Sequence, residues 1–243
     1  MQTKKLNIAL IGYGKMGKII ESIALKRGHD ILIKTTSRDT LSQNINQLKN
    51  IDVAIEFTSP DNATHNLRIL ADSKVPTICG TTGWLEQFEE IIEKFKSNNT
   101  PFLYASNFSV GVNVFFELNE FLARMMNRIN DYDVSLFESH HTEKKDAPSG
   151  TAVTLAQQII KELDIKTNWA KEDNEDTSQL YIESHREGDV KGLHEVKYNS
   201  NVDQIIIRHE AFNREGFALG ALMAAEFIHD KKGLYTMKDV LKV

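Results

Sequence analysis

Cysteine is almost missing: the 243 residues contain one, Cys79. A single thiol excludes an internal disulfide framework and fits a reducing cytosol. Placed just before Gly80, it reads as a small core residue. No apolar run is long enough to span a bilayer. After the first five residues only six apolar-leaning ones follow, too few for a secretory leader, so a cytoplasmic chain with no membrane association is expected. Surplus positive charge is lacking as well. The formal net charge is −5, so no general basic surface invites nucleic acid or anionic lipid. Internal repeats and low-complexity segments are absent too. What is present is ordinary for a globular protein, 41% hydrophobic and 26% charged residues. The length suffices for one large domain or two small ones.

Over the first hundred residues strands alternate with helices. LNIALI (6–11) reads as a buried strand that enters GYGKMG directly, and Met16, Ile19, Ile20, Ile23 and Ala24 then share one helical face up to Gly28. Further strands are expected at 30–36, 52–58, 75–79 and 101–105. Amphipathic helices are expected after Ser59-Pro60-Asp61 and around Leu85, Phe88, Ile91, Ile92 and Phe95. That rhythm predicts an α/β fold with a doubly wound, Rossmann-type parallel sheet. Beyond Asn107 the pattern becomes α+β. A long helix over 110–129 precedes strands at 132–139, 180–185, 194–199 and 203–209, with one helix, 151–163, among them and a solvated loop at 171–179. Residues 1–107 with 215–243 are therefore expected to form a dinucleotide-binding domain. Residues 108–214 form a smaller substrate-binding and oligomerisation domain with a mixed sheet, and a last helix near 215–229 returns to the first domain.

Gly12-Tyr13-Gly14-Lys15-Met16-Gly17 matches G-x-G-x-x-G after a strand and at the opening of a helix, the context that makes this pattern a dinucleotide fingerprint. The glycines let the backbone approach a pyrophosphate seated at the helix N-terminus. A plain tight turn is the plainer alternative. The second strand ends in Thr35-Thr36-Ser37-Arg38, without the acid that bonds an NAD ribose, and Ser37 and Arg38 suit the 2′-phosphate of NADPH. Arg38 is otherwise a solvated loop charge. Thr58 and Gly80-Thr81-Thr82-Gly83 lie where the third and fourth strands end, which leaves room for a nicotinamide or makes a capped turn.

HHTEKKDAPSGTA (140–152) gathers His140, His141, Lys144 and Lys145 in a mildly acidic chain. Local positive charge of this kind suits a small anion. Side chains alternate along a strand, so either the strand ends at this point or one histidine is structural. Ser149, Gly150 and Thr151 precede a helical pattern whose first amides favour a carboxylate. A histidine here serves as a proton carrier near neutral pH and Lys144 as a charged donor. A basic surface turn before a capped helix explains the same residues more plainly. An adjacent His pair with no H-E-x-x-H or Cys partner is a poor metal site, so no metal is expected.

ESHHTEKKDAPSGTA, together with IGYGKMG, IEFTSP, GTTG, ASNFSVGVNV, REGDVKGLHEV and IRHEAFNREGFALGA, resembles the dihydrodipicolinate reductase family, in family order and over nearly the whole chain. The resemblance implies hydride transfer from NADPH or NADH to a cyclic dicarboxylate derived from 4-hydroxy-tetrahydrodipicolinate, on the diaminopimelate route to lysine. It implies that His140 is the acid/base and Lys144 the proton donor, and that His141, Gly150, Thr151 and Arg214 bind substrate. Gly12 to Met16, Thr58, Gly80 to Thr82, and Ala105, Ser106, Asn107 and Phe108 then contact the cofactor. A homotetramer assembled through the second domain's sheet is also implied. Two departures stand out: the chain is compact after its second and third strands, and the acidic ribose contact is missing. A two-domain dehydrogenase for another imino diacid, or a nucleotide sensor without catalysis, would share the fingerprint. The former has no need of DAPSGT, and the latter has no need of both His140 and Lys144.

Overall fold

Apolar side chains point both ways along β1 (Asn7–Ile11), so both faces of its sheet have to be covered. Ile8 and Leu10 enter one buried cluster, and Ala9 and Ile11 enter another. The computed structural model, which describes residues 4–36, 40–129, 131–172 and 176–242, shows how this is done. β1 is flanked by β2 (Asp30–Thr35) and β3 (Val53–Glu56), then come β4 (Thr77–Cys79), β5 (Phe102–Tyr104) and β11 (Leu234–Tyr235). The order is β11-β5-β4-β3-β1-β2, with every pairing parallel. Residues from α1 (Lys15–Lys26) and α6 (Glu215–Ile228) complete the first cluster. Those from α2 (Pro60–Asp72) and α3 (Phe88–Ser97) complete the second. The chain turns back at β1, so a crevice opens beyond the carboxyl ends of β1 and β3.

Contacts divide the chain into Met1–Val110 with Arg214–Val243, and Gly111–Asn213. The second unit holds a mixed sheet in the order β10-β9-β6-β8-β7. Its strands are β6 (Asp133–His140), β7 (Asn168–Ala170), β8 (Gln179–Arg186), β9 (Leu193–Asn199) and β10 (Gln204–Glu210). β6 pairs parallel to β8 and antiparallel to β9. Val134, Leu136, Leu180, Ile182, Val196 and Tyr198 face α4 (Val110–Met126) and α5 (Gly150–Glu162) in one core.

Four elements go beyond the sequence expectation. Residues 41–50 form 3-10 turns with a capping box at Thr40, β7 and β11 are edge strands of 3 and 2 residues, and α7 spans Met237–Leu241. Strands that short carry too few alternating positions to register as a pattern. The helix expected over 110–129 stops at Met126. No helix among the described residues is long and apolar enough to cross a membrane.

α6 is apolar almost all round because it is buried on most sides, and Gly220 lets it approach closely. A β-carbon there would stand 1.8 Å from the Phe108 carbonyl oxygen, a backbone atom that cannot step aside. Replacing Gly220 with Ala is expected to cost about 1–3 kcal/mol and lower the thermal midpoint by several degrees. An unchanged melting curve would show that the contact relaxes freely.

Candidate active site

The second unit's sheet changes character along its length. On the helix-facing side of β6, Val134 and Leu136 give way to Glu138 and His140, while β8 passes from Leu180 and Ile182 to Ser184 and Arg186. Register sets His194 opposite Glu138 and His209 opposite His194. One end of an apolar face is therefore polar, and the start of α5 abuts it.

Glu138 is at the centre and has no solvent exposure. Its Oε1 accepts hydrogen bonds from the Ser149 amide at 2.9 Å and the Arg186 guanidinium at 3.2 Å. Its Oε2 faces His140 Nδ1 at 3.4 Å and His194 Nε2 at 3.6 Å. Burial alone would raise its proton affinity. The His194 ring and the hydroxyl and amide of Ser149 outweigh burial, holding the carboxyl well below its ordinary range. The same serine caps α5, since its hydroxyl accepts from the Ala152 amide at 3.2 Å and lies 3.2 Å from His194 Nε2.

β6 ends at His140, so the alternation rule does not carry on to His141, which is half-buried one residue further. Burial chiefly, then the charges of His194, Lys144 and Arg186, bring His140 down to about 4, against a partial offset from Glu138. The ring is therefore neutral at pH 7. Its Nε2 faces Gly192, where a β-carbon would come within 3.3 Å, so the missing side chain leaves that nitrogen uncovered.

The loop after His140 is fastened from beneath. Arg186 donates to the carbonyls of Lys144, at 3.2 Å, and Asp146. The Lys144 ammonium rests on Asp146, 2.8 Å from each carboxylate oxygen. Gly150 and Thr151 are the first residues of α5. Arg214 lies in the first unit, just before α6.

In the first unit a cleft of about 600 Å³ opens beyond β1 and β3, lined by Gly12, Tyr13, Gly14, Thr35, Thr36 and Thr58 among others. Gly12 adopts φ +97°, and a β-carbon on it would strike the Phe57 carbonyl oxygen at 2.1 Å. Gly14 caps α1 with no protein atom within 4 Å of where its β-carbon would stand, so the space above the helix start is open. That is the cradle a pyrophosphate needs. Thr35 binds the Gly12 amide through its hydroxyl at 3.0 Å and the Tyr13 amide through its carbonyl at 2.8 Å. No carboxylate lines the cleft among the described residues. Ser37 and Arg38 lie outside the described residues.

Other expected cofactor residues do not themselves line that cleft, though several border its lining residues. Lys15 is exposed on α1, Met16 packs on the core and Gly17 is buried. Gly80 abuts the Phe57 ring, the Thr81 hydroxyl accepts from the Thr58 amide at 2.8 Å, and Thr82 is exposed. Ala105, Ser106 and Asn107 follow β5, where Asn107 accepts from the Ser109 amide at 2.8 Å, and Phe108 is buried beside Phe57. Cys79 is fully buried, and its thiol donates to Glu56 at 3.2 Å.

A doubly wound unit with a glycine-lined cradle, joined in one chain to a unit bearing a buried acid/base cluster, defines a nicotinamide-dependent oxidoreductase. Two family models match the chain, described as the N-terminus of dihydrodipicolinate reductase over residues 6–108 and its C-terminus over residues 111–241. A 4-hydroxy-tetrahydrodipicolinate reductase from Christiangramia forsetii is 47% identical over 97% of this chain and 98% of its own. One from Rickettsia rickettsii is 35% identical over 98% and 100%. A dipicolinate-bound dihydrodipicolinate reductase from Paenisporosarcina sp. TG-14 shares the fold at a TM-score of 0.77, with 21% identity over 96% of this chain and 98% of that one. The chain belongs to the dihydrodipicolinate reductase family.

Glu138, Arg186, Gly192 and His194 had no expected role. Glu138 was legible in principle, because it stands two positions before His140 on the core-facing side of the same strand. Between pH 6.5 and about 4 the unfolded chain binds a proton at position 140 that the folded chain refuses. Stability should therefore fall with falling pH across that window, by up to about 3 kcal/mol. Glu138 adds a loss only below its ordinary 4.5, because its lowered folded value stabilises above that pH. Thermal midpoints of wild type and His140→Gln between pH 7 and 4.5 test this. The variant's decline should be shallower, and equal slopes would contradict the burial argument.

Proposed function

We propose that the chain catalyses NAD(P)H-dependent reduction of 4-hydroxy-tetrahydrodipicolinate to tetrahydrodipicolinate, in the diaminopimelate pathway to lysine and in the cytoplasm. The observation that carries this reading is the cluster around Glu138. A neutral acid/base imidazole, a lysine on a fastened loop and a helix start meet within one unit, a combination suited to a dianionic substrate.

The reaction removes water from the ring and adds a hydride and a proton. When bound, the reduced nicotinamide supplies the hydride. Gly12 and Gly14 seat its pyrophosphate, and among the described residues no carboxylate in the lining opposes a 2′-phosphate. Glu138 faces Nδ1 of His140 and so orients the ring, leaving Nε2 as the working atom at the gap beside Gly192. Bound substrate carboxylates raise the proton affinity of His140, which then takes up and returns a proton. Lys144 exchanges Asp146 for the substrate and acts as the donor. Gly150 and Thr151 present the α5 start to a carboxylate, and His141 borders it. Dipicolinate, bound in the Paenisporosarcina relative, is a small planar dicarboxylate of the class this arrangement suits.

Assembly into a homotetramer is part of the same proposal. The sheet face away from α4 and α5 carries Phe137, Tyr181, Glu183, Glu195 and Lys197 around a hollow of about 360 Å³. Edge strand β10 exposes Ile205 and Ile206. An apolar edge of this kind invites pairing with another copy.

Purified protein should oxidise NADPH or NADH only when 4-hydroxy-tetrahydrodipicolinate is supplied. His140→Gln and Lys144→Met should each lower turnover at least ~10²-fold while cofactor affinity, read by fluorescence titration, barely moves. Full activity in both variants would refute the role assignments, and no turnover with either cofactor would refute the reaction.

A further inference from the structure

We propose that Glu138, His140 and His194 form a binding site for a borderline divalent ion of the Zn²⁺ type, and that its occupancy switches the enzyme off. The second half rests on His140 being the proton carrier, whereas the site itself does not.

Oxygen and nitrogen ligands sit about 2.0–2.2 Å from zinc, so a tetrahedral ion holds its ligand atoms about 3.3–3.5 Å apart. Glu138 Oε2 is 3.4 Å from His140 Nδ1 and 3.6 Å from His194 Nε2. One ligand atom from each of the three residues lies within 4.8 Å of the others. All three residues are more than nine-tenths buried, and Glu138 Oε2 and His140 Nδ1 have no hydrogen-bond partner. A buried carboxylate oxygen that faces two imidazole nitrogens at 3.4 and 3.6 Å is a lone-pair donor aimed at both. Arg186 and the Ser149 amide occupy only Oε1. The Ser149 hydroxyl, 3.2 Å from His194 Nε2, or a water offers a fourth ligand.

Two imidazoles with one carboxylate select zinc-like ions over Mg²⁺ or Ca²⁺, which require shells of oxygen. This set comes from three positions across the sheet. It is separate from the adjacent pair His140–His141, which remains a poor site. Metal on Nδ1 leaves the neutral ring's proton on Nε2, the nitrogen that has to accept one. An occupied site therefore cannot run the proposed proton transfer.

Zinc chloride titrated into the ligand-free wild type, followed by calorimetry, should show one equivalent bound per chain. His194→Ala and Glu138→Gln should each weaken binding at least ~10-fold, while His185→Ala, which removes the exposed histidine beside Glu183, should leave it intact. Zinc-edge anomalous scattering from soaked wild-type crystals should place the ion among the three side chains, a readout that does not depend on any variant folding. Binding that survives both variants, an anomalous peak elsewhere or no bound equivalent would overturn the site. Stoichiometric binding without chelator-reversible loss of turnover would overturn the switch, and with it His140 as proton carrier. Loss of turnover in metal-free wild type would instead count against the proposed reaction alone.

Discussion

A carboxylate with no exposure to solvent costs several kcal/mol unless its charge is met, and the site in the second unit is arranged around meeting it. Glu138 receives the Ser149 amide and Arg186 on one oxygen and faces His140 and His194 with the other. Each partner carries a further duty. Ser149 starts α5, Arg186 fastens the carbonyls of the lysine loop, and His194 joins β9 to the same centre. Strand, loop and helix start are thereby held in one relation, and removing the charge would release all three.

The same burial sets the chemistry. A histidine in water is half-protonated near 6.5, whereas His140 stays neutral down to about 4. In the proposed role it would become a competent acid only when an anion enters, which would couple proton transfer to substrate occupancy. In the first unit the work is done by absence. Gly14 leaves the head of α1 open, and Thr35, Thr36 and Thr58 line the cleft beyond it.

The alternating strands and helices of the first hundred residues were legible because the buried strands are short apolar runs bounded by turn residues such as Gly12, Gly28, Ser59-Pro60 and Gly80, and each helix has one apolar face. Gly12, Gly14 and Thr58, which line the cleft, were readable because backbone requirements leave sharp marks. Short edge strands such as β7 and β11 left none. The polar centre escaped reading because its members come from β6, β8, β9 and α5, and only strand register brings Glu138 opposite His194. His140 stood out by its sequence neighbours. Glu138, two residues earlier at a core-facing position, announced a buried charge that nothing local could pair. Gly80 and Phe108 both lie against the ring of Phe57, which itself lines the cleft, a placement that no local pattern announces.

The most direct test is a site-resolved NMR titration of the imidazole at 140 in the ligand-free protein, with and without Glu138→Gln. The wild-type ring should be neutral at pH 7, carry its proton on Nδ1 and become charged only near pH 4. The variant should lose the Nδ1 preference. An imidazole that titrates near 6.5 and keeps the same tautomer in both proteins would contradict a site organised by the buried carboxylate.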